Sequence, residues 1–155
     1  MADMLVKLYD FRPDAELIKR LGEQGIFIKR VIAPEKTVVC DWVLSTFGTR
    51  WRDECDVAIS NQPVSCYIAY RGKEILGFAC CEATFRNFFG PTGVLESMRG
   101  KGIGKALLFA CLDHQKNMGY AYSIIGSSGA DGFYEKSCNA VSIERSKPGI
   151  YKDML

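Results

Sequence analysis

The stretch Glu96–Ala110, ESMRGKGIGKALLFA, decides how this chain is interpreted, because glycine and positive charge meet there at the start of a helical pattern. It holds three glycines and three basic residues, and its apolar residues then follow at helical spacing. A helix N-terminus leaves N–H groups unpaired and carries about half a positive charge, so it can bind an anion. Two interpretations stay open at this point: a solvent-exposed turn and a loop that binds phosphate.

Two familiar phosphate motifs do not fit the stretch. The P-loop pattern GxxxxGK[ST] needs glycine and then Ser or Thr at positions where this chain has Arg99 and Ala106. The dinucleotide pattern GxGxxG meets Lys105 or Leu107 where its last glycine should stand. A nucleotide-hydrolysing or dinucleotide-binding role is therefore disfavoured.

Composition predicts one ordinary globular domain over residues 1–155. Hydrophobic residues make up 48% and charged residues 25%, with a net charge of +2, which is too small to indicate a nucleic-acid partner. No apolar run approaches the roughly 18 residues of a membrane span, and the start lacks the apolar core of a signal peptide. We therefore expect no membrane partner.

The numbers and spacing of cysteine and histidine limit the kinds of metal site and catalytic triad that this chain can form. The seven cysteines are odd in number and form no CxxC, which favours reduced thiols and a cytoplasmic location. His114 is the only histidine, so Cys/His zinc sites and Ser-His-Asp triads are disfavoured, and we expect no metal.

Hydrophobic periodicity and turn residues predict the order of elements. Two amphipathic helices follow a first strand, and residues 48–63 give no firm assignment. A strand–helix–strand unit centred on residues 94–125 predicts one parallel pair in a mixed sheet. The predicted strands are 4–11, 65–70, 74–85, an irregular 87–98, 121–128, 140–145 and 149–155; the predicted helices are 13–25, 34–47, 102–118 and 129–138.

The pattern R-x-x-G-x-G, formed by Arg99, Gly102 and Gly104, resembles motif A of the GNAT superfamily of N-acyltransferases. The resemblance extends from about Ser65 to the C-terminus. It implies an α/β fold with a mixed, mostly antiparallel sheet, a splayed pair of parallel strands and flanking helices. It also implies acetyl-CoA as co-substrate, held by Thr92, Gly93, Val94, Arg99, Gly100, Lys101, Gly102, Ile103, Gly104, Lys105 and Ser127.

A second segment, GFYEKSCNAVSIE, resembles the family's helix and strand near its general acid, with Asn139-Ala140 in place of the usual Gly-Phe. The resemblance implies that Tyr134 protonates the departing thiolate and that the Val94 N–H stabilises the oxyanion. The amine would attack the thioester directly in a ternary complex.

The base that deprotonates the amine is not identified by the sequence. Phe88 and Tyr122 occupy positions where family members often carry carboxylates. Glu82, Glu96 and a chain of waters stay open as alternatives. A nucleophilic cysteine is disfavoured, because Cys80 and Cys81 are adjacent on a strand and point to opposite faces.

These observations predict an N-acetyltransferase that acts on a primary amine of a small molecule or peptide. A non-catalytic acyl-CoA-binding regulatory module on the same fold is the alternative, and a homodimer is also open. We expect residues 25–64 and 146–150 to form the acceptor pocket, with Trp42 in the core.

Overall fold

A seven-stranded sheet crosses the molecule in the order β2-β3-β4-β5-β6-β1-β7. The computed structural model describes residues 1–155. The strands are β1 (Met4–Lys7), β2 (Phe27–Arg30), β3 (Cys66–Arg71), β4 (Glu74–Cys81), β5 (Phe88–Val94), β6 (Tyr122–Ile125) and β7 (Val141–Ser142). The helices are α1 (Ala15–Glu23), α2 (Lys36–Phe47), α3 (Thr49–Ser60), α4 (Ile103–Asn117) and α5 (Asp131–Cys138). The predicted α/β fold with a mixed sheet is confirmed.

The sheet separates two apolar cores. One lies under α1, α4 and α5 and includes Leu21, Leu107 and Tyr134. The other lies under α2 and α3 and includes Val43, Ile59 and Phe78. Alternation along the strands produces this arrangement, because successive side chains of a strand point to opposite faces.

Local sequence explains where the helices begin. The Asp14 side chain accepts a hydrogen bond of 3.0 Å from the Leu17 N–H and so caps α1. Gly102, at φ +90°, is the residue before α4, and the helix buries Ile103, Leu107 and Cys111 on one side. The predicted helix at 102–118 is therefore confirmed.

The single parallel pair, β5 with β6, is the feature that shapes the centre of the sheet. The two strands pair only at Phe88 with Ile124 and at Phe89 with Ile125. Beyond that point Gly90, at φ +119°, and Pro91, which lacks an N–H, interrupt the ladder. The strands diverge from there, as the resemblance implied.

The structure differs from the sequence predictions in several segments. Strand β2 was not predicted; it pairs with β3 at the sheet edge. The predicted strand 4–11 ends at Lys7, and the predicted strand 140–145 shrinks to Val141–Ser142. The predicted last strand, 149–155, is wrong, since Gly149–Tyr151 form a short 3-10 turn. Helix α3 occupies the segment that had no assignment.

Strands β3 and β4 carry a β-bulge next to Gly77: β3 pairs Ala69 with Gly77 but Tyr70 with Ile75, so one residue of β4 is extra. None of the helices is long and apolar enough to cross a membrane.

Candidate active site

The loop before α4 presents a continuous row of free backbone donors. The N–H groups of Gly100 through Lys105 bond to no acceptor in the protein, whereas the next N–H, of Ala106, bonds to the Gly102 carbonyl at 3.0 Å. Six unpaired N–H groups at a helix N-terminus add to the positive end of the helix dipole. The geometry that the sequence predicted for an anion site is present.

Two glycines of this loop have positive φ angles, for different reasons. Gly100, at φ +78°, has no neighbour within 4 Å of the position of a Cβ atom, so it is needed only for the backbone conformation. Gly102, at φ +90°, is also packed: a Cβ atom there would lie 2.7 Å from Leu17 Cδ1. Helix α1 thus packs against the loop at Gly102.

The basic side chains of the loop have distinct surroundings. Arg99 and Lys101 are exposed and form no ion pair. The Lys105 ammonium lies 3.2 Å from the carboxylate of Asp14, the residue that caps α1. This ion pair offsets much of the positive charge of Lys105. The Ile103 side chain is buried, so only the backbone N–H of Ile103 faces a ligand.

The free edge of β5 carries a second set of donors. The Leu95 N–H bonds to the Leu76 carbonyl at 2.9 Å, and Val94 lies opposite Gly77. Because bonding alternates along an antiparallel pair, the N–H groups of Val94 and Thr92 point away from β4 and toward the gap left by β6. The Gly93 N–H points back to β4. A Cβ atom on Gly93 would lie 2.5 Å from the Phe47 ring, so this glycine is required by packing.

A cleft of about 1290 Å³ opens where β5 and β6 part. The cleft passes through the sheet, from the face covered by α5 to the face covered by α3. Its lining residues are 50–51, 53–54, 84–85, 89–92, 125–130, 134 and 149–155. Thr92 and Ser127 are therefore brought together with Tyr134, while Val94 lies beyond the cleft, toward the glycine loop.

Tyr134 is the titratable group at the α5 side of this cleft. It is 8% exposed and packs against Phe89 and Phe133, with ring centroids 6.0 Å and 5.1 Å away. Its hydroxyl makes no hydrogen bond within the protein. Burial raises the pKa of Tyr134 to about 12, and the nearby Cys138 thiol adds to the rise. The hydroxyl is thus protonated and free to donate to a ligand.

The α3 side of the cleft contains groups that sequence reasoning missed. Glu54 of α3 accepts a hydrogen bond from the Thr84 hydroxyl, and Tyr151 lies beside them. Burial raises the pKa of Tyr151, and the charge of Glu54 adds to this effect. The C-terminal residues cover this end, where the Leu155 carbonyl accepts from Arg50 at 3.3 Å. The only sequence signal was an acidic pair at 53–54 in a segment without an assignment.

The two carboxylates considered as the base lie elsewhere. Glu82 accepts hydrogen bonds from the Asn87 N–H (2.9 Å), the Gln115 amide (3.1 Å) and the Tyr120 hydroxyl (2.9 Å). Glu82 does not line the cleft, so the structure gives it a role in tying β4 to α4. Glu96 is exposed in the turn before the glycine loop, also outside the cleft.

The remaining predicted residues are placed as follows. The Ser127 N–H donates to the Asp3 carboxylate at 2.8 Å, which links the end of β6 to the N-terminus. Cys80 and Cys81 lie in the two different cores, and neither lines the cleft. Trp42 is partly buried and packs on Phe78 at the margin of the core, whereas Trp51 borders the cleft.

Comparison with known proteins agrees with this geometry. The family model described as "Acetyltransferase (GNAT) family" matches residues 36–140, which is 105 of the 155 positions. The chain belongs to the GNAT acetyltransferase family. The family generally uses acetyl-CoA as co-substrate. No curated protein sequence matches the chain.

Solved structures of GNAT proteins share the fold. A glucosamine N-acetyltransferase region of a fungal multi-domain GH3 β-N-acetylglucosaminidase superposes with a TM-score of 0.74 at 14% identity, covering 92% of this chain and 19% of that one. A GCN5-related N-acetyltransferase from Sphaerobacter thermophilus gives 0.69 at 18% identity, covering 92% and 48%. A putative acetyltransferase from Pyrococcus horikoshii gives 0.53 at 20% identity, covering 73% and 42%. The chain spans less than half the length of each of these structures.

Proposed function

We propose that this GNAT protein transfers the acetyl group of acetyl-CoA to a primary amine of a small molecule or peptide. The observation that carries the proposal is the cleft between β5 and β6, which joins a protonated, unpartnered Tyr134 to the free edge of β5. The free N–H groups of the loop before α4 lie just beyond it along the chain.

The loop suits the diphosphate of the co-substrate. The backbone N–H groups of Gly100–Lys105 would donate to its oxygens, and Arg99 and Lys101 would supply positive charge. Lys105 contributes mainly its N–H, because its ammonium is paired with Asp14. The edge N–H groups of Val94 and Thr92 would then hold the pantetheine arm and the acetyl carbonyl.

In the chemical step the neutral amine attacks the thioester carbon and the carbonyl electrons move to oxygen. An N–H group on the edge of β5 would stabilise that oxyanion, and a preorganised donor of this kind contributes about 10²- to 10³-fold. Thr92 borders the cleft and Val94 does not, so the structure favours Thr92 alongside the predicted Val94. When the C–S bond breaks, the electron pair goes to sulfur.

The raised pKa of Tyr134 affects its part in this step. A thiol has a pKa near 8.5, about 3.5 units below the value of about 12 for Tyr134. Full proton transfer to the thiolate is therefore uphill, and Tyr134 acts first as a hydrogen-bond donor to the developing charge on sulfur. The sulfur then acquires its proton from Tyr134, which is reprotonated from solvent, while the nitrogen proton leaves to a base.

The α3 side of the cleft is the acceptor end in this proposal. Asp53, Glu54 and Asp153 line it together with Arg50, Lys152 and the Trp51 and Tyr151 rings, and Asp53 is paired with Arg52. The Glu54 carboxylate beside this aromatic surface suits a compact amine that arrives as a cation. Glu54, held by Thr84, is the best-placed group to accept the amine proton.

The test combines binding and turnover. Calorimetry should show acetyl-CoA binding by the intact chain, and thiol release should follow with at least one member of an amine panel that includes glucosamine, polyamines and peptides. Gly102→Glu should abolish binding, because its side chain would collide with Leu17 at an unfavourable φ and displace the loop whose N–H groups would hold the diphosphate. Gln24→Glu, which adds the same charge at the exposed end of α1, is the matched control.

Absence of acetyl-CoA binding, or binding unchanged in Gly102→Glu, would refute the proposal. Binding without turnover on any amine, accompanied only by a rise in melting temperature, would favour the non-catalytic acyl-CoA-binding module.

A further inference from the structure

Four cysteines from four different elements meet in the core beneath α2 and α3. They are Cys40 of α2, Cys55 of α3, Cys66 of β3 and Cys80 of β4, and all four are buried. They make up four of the eleven buried residues of that core. None lines the acyl-transfer cleft, so the catalytic proposal gives them no role.

Three of these thiols are close enough to share one ion. The Sγ atoms of Cys55, Cys66 and Cys80 all lie within 4.8 Å of one another, and those of Cys55 and Cys66 are 3.8 Å apart. Two sulfurs bound to one tetrahedral zinc ion, each at about 2.3 Å, would be separated by about 3.8 Å. The observed spacing therefore suits a common metal ion without a change of fold.

The sheet itself sets part of this spacing. Cys66 and Cys80 are direct partners across β3 and β4, so their side chains share the face that α3 covers. The Cys55 side chain of α3 packs against the thiols of Cys66 and Cys80. The neighbouring Cys81 points to the other core and lies apart from the cluster.

Cys40 belongs to the same core but is not one of the three thiols whose Sγ atoms lie within 4.8 Å of one another. Cys40 is 8% exposed, whereas the other three are fully buried. It therefore marks the side of the cluster nearest to solvent.

We propose that Cys55, Cys66 and Cys80 form a three-thiolate binding site for a thiophilic metal ion such as Zn²⁺. Thiolate ligands select soft or borderline ions of this kind over Mg²⁺ or Ca²⁺. As each S–Zn bond forms, the thiol proton passes to solvent and the ion loses a bound water, with no change of oxidation state. The ion would fasten α3 to the sheet.

The sequence did not indicate this site. Zinc motifs are recognised by pairs of ligands two to four residues apart, and here the ligands come from three separate elements. The prediction that the chain has no metal site rested on the single histidine and the lack of CxxC, and a cluster made only of distant cysteines escapes both criteria.

The first experiment uses the intact wild-type chain. The protein is kept reduced with a phosphine, stripped with a chelator, dialysed and titrated with Zn²⁺, and bound metal is measured by mass spectrometry after competition with a weak chelator. We expect one Zn²⁺ per chain and a melting temperature that rises with Zn²⁺ concentration. Co²⁺, as a spectroscopic substitute, should give a sulfur-to-cobalt charge-transfer band.

The second experiment uses matched variants. Cys55→Ser and Cys66→Ser should each lose the tight site and the cobalt band. Cys111→Ser, which alters an equally buried thiol in the other core, should keep both. A wild-type chain that binds no Zn²⁺ under competition, or that gives no cobalt band, overturns the proposal whether or not the variants fold. Equal metal content in Cys55→Ser and the wild type also overturns it.

Discussion

Replacement of Tyr134 by phenylalanine separates catalysis from stability. The Tyr134 hydroxyl borders the cleft and bonds to nothing in the protein, so its removal breaks no internal contact. We expect the free energy of unfolding to change by less than about 0.5 kcal/mol. A general acid contributes about 10²- to 10⁴-fold, and the pKa of about 12 places Tyr134 at the lower end of that range.

We therefore expect kcat to fall about 10²-fold, which corresponds to about 2.7 kcal/mol, with little change in the affinity for acetyl-CoA. The assay measures thiol release under saturating acetyl-CoA, together with calorimetry for binding and thermal unfolding for stability. Because the pKa is high, the wild-type rate should show no loss of this acid below about pH 11.

Tyr120→Phe is the matched control. The Tyr120 hydroxyl donates to Glu82 at 2.9 Å and lies outside the cleft. Loss of this half-buried bond should cost about 1 kcal/mol of stability, or roughly 2–4 °C in melting temperature, and leave kcat unchanged. The reasoning is refuted if Tyr134→Phe keeps wild-type turnover, or if its loss of turnover is matched by a loss of stability.

Three further predictions follow from particular contacts. Gly102→Ala should destabilise the fold by about 2–3 kcal/mol in urea unfolding and weaken acetyl-CoA binding, because its Cβ atom would meet Leu17 and its φ is unfavourable. Glu54→Gln should lower kcat/KM for the amine about 10²-fold and leave acetyl-CoA affinity unchanged, since a base is removed at the acceptor end. Burial, with a smaller effect of the Arg30 charge, lowers the pKa of His114. As the pH falls, His114 is therefore protonated in the unfolded chain before it is protonated in the folded chain. Stability should therefore be full above about pH 6.5 and fall as the pH drops below it, and His114→Asn should flatten this slope in thermal unfolding.

Each of these predictions has an outcome that contradicts it. Gly132 has an ordinary φ and open space around it, so equal losses of stability in Gly132→Ala and Gly102→Ala would show that the Leu17 contact is irrelevant. If Glu54→Gln has wild-type kinetics, Glu54 is not the base, and a chain of waters would then accept the amine proton. A slope that persists unchanged in His114→Asn would assign the acid sensitivity to other groups.

The cofactor half of the site was predictable because it is local in sequence. Arg99, Gly102 and the start of α4 lie close together in the sequence, and the glycines at this helix N-terminus are required by backbone geometry. Tyr134 was found through a second short motif. The acceptor half was not predictable, because Glu54, Thr84 and Tyr151 come from three distant segments and no spacing links them.

The sequence by itself determined the strand–helix–strand unit and the irregular strand at Gly90-Pro91. These depend on hydrophobic periodicity, on a glycine that lacks a side chain and on a proline that lacks an N–H. Only the tertiary structure decided that β1 lies between β6 and β7, that the last segment covers the cleft, and that three distant cysteines converge. The physical reason is that strand order and side-chain clusters depend on packing between residues far apart in the sequence. The residues that flank each partner in the sequence do not indicate such a contact.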